Sequence, residues 1–87
     1  MEYVSVGFGN VINKGKIVGV LSPSLSSTKQ LVTKARYDEM LIDVTTNRKI
    51  KSVIVTDTGY IFLCALSTET IMNRLNETEK IDTGKED

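Results

Sequence analysis

A small mixed α+β domain, with about five short strands and two helices, is the fold class that this 87-residue sequence predicts. Three observations predict it. Short runs rich in β-branched and apolar residues recur around Tyr3–Val6, Lys16–Leu21, Met40–Val44, Ser52–Thr56 and Tyr60–Leu66, each closed by turn-forming residues. Thr28, Leu31, Val32 and Ala35 repeat at helical spacing, and Ile71, Met72 and Leu75 do so again. The length suffices for one hydrophobic core and not for two.

The first strand takes in Tyr3, Val4 and Val6 and stops at Gly7-Phe8-Gly9-Asn10, whose glycines and asparagine admit the positive φ of a turn. The second covers Lys16–Leu21 and ends at Ser22-Pro23. The polar run 24–27 supplies a serine cap for the first helix, since a hydroxyl accepts the unpaired N–H groups of the first turn. One face of that helix is apolar over roughly three turns, with Lys29 and Arg36 on the other.

Met40–Val44 and Ser52–Thr56 read as a pair joined by a hairpin with Asn47 near its tip, which puts Arg48, Lys49 and Lys51 at an exposed end. Asp57-Thr58-Gly59 is a second tight connection. Beyond it, Tyr60–Leu66 is apolar without alternation, so both faces of that strand need cover. A single helical layer covers one face, and a subunit interface is the candidate for the other. Ser67 or Thr68 caps the second helix, with Ile71, Met72 and Leu75 facing inward. Residues 1–76 are thus the domain, and 77–87, nearly devoid of apolar residues, are expected to be a disordered acidic tail.

Composition narrows the function. The formal net charge is zero, an unusual balance for a nucleic-acid binder, but the charges are unevenly placed. Residues 1–76 carry nine lysines and arginines against six acids, and the tail carries two lysines against five acids. Histidine is absent and Cys64 is the single cysteine, which excludes an intrachain disulfide and a zinc site. A leader peptide and a run of ~18 apolar residues are both lacking, so a cytoplasmic protein with no membrane association is expected.

No catalytic set emerges, and the protein is expected not to be an enzyme and to use no cofactor, metal or small-molecule substrate. The serines and threonines of 22–28 and 67–70 have no histidine to activate them and no P-loop pattern around them, which favours capping. The Gly7-Phe8-Gly9-Asn10 turn lacks the third glycine of a dinucleotide fingerprint. Asp43 and Asp57 fit turn and strand-edge roles better than an acid/base pair. Cys64, within an apolar run, fits a buried and inert thiol. Arg48, Lys49 and Lys51 are different: three cations within four residues repel one another unless an anion is near, although such runs are also found as solvated loops. Lys14 and Lys16 are ambiguous in the same way.

The order of these motifs as a whole, from Gly7-Phe8-Gly9-Asn10 through Lys16-Ile17-Val18, Ser22-Pro23, Ala35-Arg36, Met40-Leu41-Ile42-Asp43, the basic connection, Val53-Ile54-Val55, Glu69-Thr70-Ile71 and Arg74-Leu75, resembles the RemA family of bacterial extracellular-matrix regulatory proteins. The resemblance runs from about Val4 to Leu75. It implies a DNA-binding transcriptional regulator of biofilm matrix genes, similar in fold to LytTR-type DNA-binding domains and assembled as a homo-oligomeric ring of more than four subunits. Double-stranded DNA would follow the ring's outer edge, touched by basic side chains at positions matching Lys16, Arg48 and Lys49, with Lys51 and Lys14 as further candidates. The family pattern has arginine at 16, 49 and 51 and glycine at 47, where this chain has Lys16, Lys49, Lys51 and Asn47. Lysine retains the charge and loses the planar fork, so binding dominated by the phosphate backbone is expected. A ring-forming scaffold that binds a protein partner, with no nucleic-acid role, is the alternative that the residues leave open.

Overall fold

The structure, a computed structural model, describes residues 2–83, with side chains described through residue 77. The elements run β1 (Tyr3–Gly7), β2 (Asn10–Asn13), a single 3-10 turn (Lys14–Lys16), β3 (Ile17–Leu21), α1 (Ser26–Tyr37), β4 (Leu41–Asp43), β5 (Ser52–Thr56), β6 (Ile61–Cys64) and α2 (Thr68–Thr83). The mixed α+β class is as expected, with six strands in two sheets where about five strands were anticipated. The additional strand, β2, folds back antiparallel on β1 through the two residues Phe8 and Gly9.

The second sheet has the order β3-β5-β6-β4, with β3/β5 and β5/β6 antiparallel and β4/β6 parallel. This corrects the expected hairpin between β4 and β5. β6 lies between them, so the 44–51 connection arches over the end of β6 instead of linking neighbours. Its two ends are tied to that strand: Val44 N–H donates to the Leu63 carbonyl at 3.0 Å and Lys51 N–H to the Cys64 carbonyl at 2.8 Å. The 57–59 connection, by contrast, is the expected tight hairpin, with Gly59 at φ +94°.

Alternation along the four-stranded sheet sorts its side chains into two clusters, because successive residues point to opposite faces. Val53, Ile61 and Leu63 face α1, packing with Ala35, Leu31 and Val32. Ile54, Phe62 and Cys64 face the β1–β2 hairpin and α2, packing with Val4, Val6, Ile12 and Ile71. The chain thus forms three layers, and its own elements cover both faces of β6: Ile61, Leu63 and Cys64 are all buried. Elsewhere in the apolar run Phe62, Ala65 and Leu66 are half-buried and Tyr60 is exposed. Cys64 is buried as expected, its Sγ donating to the Val6 carbonyl at 3.2 Å.

The helix ends differ from one another. Ser67 caps α2 as anticipated, its Oγ accepting from Thr70 N–H at 3.1 Å. α1 starts at Ser26 with no side-chain cap bond, because the N-cap position falls on Leu25, whose side chain has no acceptor; the expected serine cap is not formed, and Ser22 and Ser24 bond each other. In α2, Ile71 is buried and Leu75 packs on the core, but Met72, expected inward, is half-exposed. α2 is helical through Thr83, so helix continues past the expected start of the acidic tail at 77, and 84–87 lie outside the described residues.

Candidate functional site

The basic connection is built by short-range chemistry. Asp43, at the end of β4, accepts from Thr45 N–H at 2.8 Å and from Thr45 Oγ1 at 2.6 Å, which fixes the start of the loop. Arg48 N–H then donates to the Thr45 carbonyl at 3.1 Å, closing a four-residue turn whose central residues, Thr46 and Asn47, have φ of 55° and 65°. Two positive φ values in succession mark a primed turn of type I′. Ile50 turns inward against the α1 cluster, while Arg48, Lys49 and Lys51 stay exposed. Among the described residues, none of these three cations is paired with a carboxylate.

The bonds from Thr45, the hydroxyl's first and the amide's second, hold the Asp43 carboxyl below the usual aspartate range. A carboxyl whose pKa is depressed by folding stabilises the fold above its unfolded value, and that contribution is lost as the pH falls through the folded value. The stability difference between wild type and Asp43→Ala, read from urea unfolding, should accordingly be present at about pH 7 and shrink as the pH is taken below ~3.9.

The loop also meets the first hairpin. The Arg48 guanidinium carbon lies 4.9 Å from the centroid of the Phe8 ring. Phe8 stands at the hairpin tip with φ 57°, half-exposed, between Gly7 and Gly9, and Asn10 Nδ2 braces the turn by donating to the Gly7 and Phe8 carbonyls. Nothing in the sequence pointed to this pair, although an aromatic side chain between two turn glycines is a local oddity that would have marked Phe8.

The remaining sequence candidates are elsewhere. Lys16 is exposed, but it precedes Ile17, which pairs with Thr56 at the far end of β5, whereas Lys51 precedes Ser52 at the near end. The length of β5 thus separates Lys16 from the loop, roughly 13 Å at ~3.3 Å per residue. Lys14 is mostly buried and its Nζ lies 3.4 Å from Glu2 Oε1, so its charge is engaged within the chain. Two cations of α1 prove closer to the loop than their sequence positions suggest. A groove of about 210 Å³ between α1 and the sheet is floored by Val32, Val53 and Leu63, bordered by Ile50, and rimmed by Lys29 and Arg36.

Asp43 and Asp57 stand at opposite ends of the sheet and form no pair. Among the described residues no cluster of three or more histidine, cysteine, aspartate or glutamate side chains is placed to hold a metal, and no helix is long and apolar enough to cross a membrane. What the loop offers chemically is an array of outward cations that suits a polyanion.

Comparison with known proteins covers almost the whole chain. The family model described as "RemA-like: Extracellular matrix regulatory protein A-like" matches residues 3–75. Similar proteins bearing the name "Putative regulatory protein" occur in Lachnoclostridium phytofermentans, 43% identical over 97% of this chain and 92% of the relative, and in Thermodesulfovibrio yellowstonii, 41% identical over 93% and 95%. A third, from Thermoanaerobacter sp., is 38% identical over 100% of this chain and 93% of its own.

Proposed function

Because this chain belongs to the RemA-like family, whose members are similar to extracellular matrix regulatory protein A, we propose that it is a DNA-binding transcriptional regulator of biofilm matrix genes. The observation that carries the reading is the arched 44–51 connection, which holds Arg48, Lys49 and Lys51 outward without an acidic partner among the described residues. Such an array attracts phosphates and carries little base information of its own, since lysine grips as a point charge and Arg48 alone has the planar fork. Asn47 at φ 65° also fits the family pattern, because glycine enters that region freely and asparagine tolerates it better than most residues.

The reading includes a fold similar to LytTR-type DNA-binding domains, a cytoplasmic location, and assembly of copies as a ring of more than four subunits, with DNA along the outer edge. A ring suits the modest charge of one copy, because many weak patches on one object act together and gain avidity. It also suits the separation of Lys16 from the loop, since each copy would then meet the duplex at two places. Apolar side chains available for contacts between copies include Tyr3 and Val11, diagonal neighbours on the outer face of the β1–β2 hairpin, and Tyr37 at the end of α1.

Two measurements test the proposal together: light scattering at micromolar concentration, and titration of a duplex DNA at several salt concentrations. A mass beyond the tetramer with binding that weakens steeply as salt rises is expected. A monomer would remove the ring and its avidity, and a large oligomer that leaves the duplex free would favour the scaffold that binds a protein partner.

A further inference from the structure

We propose that Phe8 is a positioning residue for the DNA contact: its ring holds the Arg48 guanidinium by the face, so that the in-plane N–H donors point outward to a phosphate or a base edge. The inference rests on the DNA-binding reading and deepens it by adding the first hairpin to the interface.

The first support is the conformation of Phe8 itself. In the two-residue loop between β1 and β2, both Phe8 and Gly9 have positive φ, 57° and 83°. Type I′ loops of this kind favour asparagine, aspartate or glycine at the first position, where a bulky side chain is a true outlier. Nor does the fold need the ring as core, for Phe8 is 46% exposed. Backbone strain of this sort persists where surrounding structure holds it, and it gathers at ligand clamps.

The second support is where the ring sits. Arg48 closes the primed turn that Asp43 and Thr45 anchor, and its guanidinium carbon lies 4.9 Å from the Phe8 centroid. Two strained turns from separate sheets thus converge on one side chain. Stacking uses the face of a guanidinium and leaves its five donors, which lie in the plane, available at the edge. An arginine held this way also has less rotamer freedom to lose when it binds.

The test uses the full chain and one duplex at fixed salt. Phe8→Asn removes the ring and installs the Asn-Gly pair that the loop prefers, and Phe8→Tyr keeps the ring. Phe8→Asn is expected to melt at or above the wild-type temperature and yet bind roughly three- to tenfold more weakly, whereas Phe8→Tyr should stay within about twofold of wild type. Added to Arg48→Ala, Phe8→Asn should cause no further loss. Without DNA, the Arg48 Hε and Hδ resonances should carry a ring-current shift that Phe8→Asn abolishes and Phe8→Tyr retains. Wild-type affinity in Phe8→Asn, an undiminished loss in the Arg48→Ala background, or no ring-current shift in the wild type would each overturn the proposal. A wild-type protein that shows the shift but leaves the duplex free would instead overturn the DNA reading, and the role of Phe8 with it.

Discussion

Replacing Arg48 and Lys49 together by alanine is expected to reduce affinity for duplex DNA by roughly tenfold or more, and more steeply in a ring, where each deletion recurs in every subunit. Both side chains are exposed on a loop whose anchors, the Asp43–Thr45 bonds and the ties from Val44 and Lys51 to β6, do not involve them. Stability should therefore change little: the cation–π contact of Arg48 with Phe8 contributes about 0.5–1 kcal/mol, and Lys49 about 0.5 kcal/mol at most. The slope of log affinity against log salt should flatten by roughly 0.9 for each phosphate that is no longer neutralised. Titrating wild type and double variant against the same duplex over a range of salt reads both quantities, with light scattering to verify that the mass is unchanged. Equal affinities and slopes would reduce the connection to a solvated loop.

Ile71→Ala is expected to cost about 2–5 kcal/mol, a large share of the ~5–15 kcal/mol that single domains have in total. Ile71 is fully buried and carries α2 into the cluster formed by Val4, Val6, Ile54 and Cys64. Truncating it opens a cavity between helix, hairpin and sheet that none of the three can close alone. Met72, one position on, is 47% exposed, and Met72→Ala should cost no more than about 1 kcal/mol. Paired urea melts decide the matter: similar losses for the two variants would mean that α2 is not seated by Ile71.

Much of this fold is legible in the sequence wherever neighbours in the chain are neighbours in space. The alternation of Tyr3, Val4, Ser5 and Val6, the stripe from Thr28 to Ala35 and the Gly59 turn are local signals, and the structure has each of them where expected. β2 was hidden because Asn10-Val11-Ile12-Asn13 has only two apolar residues, and its partner is set by the turn before it. The pairing of β4 with β6 in place of β5 was hidden for another reason. Sequential strands usually pair, and nothing local reveals that a later, more apolar strand will come between them. Of the candidate site, the exposed cations Arg48, Lys49 and Lys51 could be read from composition and turn chemistry. The proximity of Phe8 to Arg48, and the convergence of Lys29 and Arg36 on the groove beside Ile50, depend on how the layers stack.

The order β3-β5-β6-β4 leaves β3 and β4 as the two borders of the main sheet, and neither is a good template for another strand. β4 is only three residues long and ends where Asp43 turns its carboxylate back onto Thr45. In β3 the register shifts between Ile17 and Gly19, so Val18 is an unpaired bulge residue, 65% exposed, that interrupts the row of free amides and carbonyls. Short and bulged borders are how sheets resist growing into one another. Along the main sheet a second copy of this chain would therefore find almost no backbone ladder to extend, which works against the runaway strand addition that produces fibres.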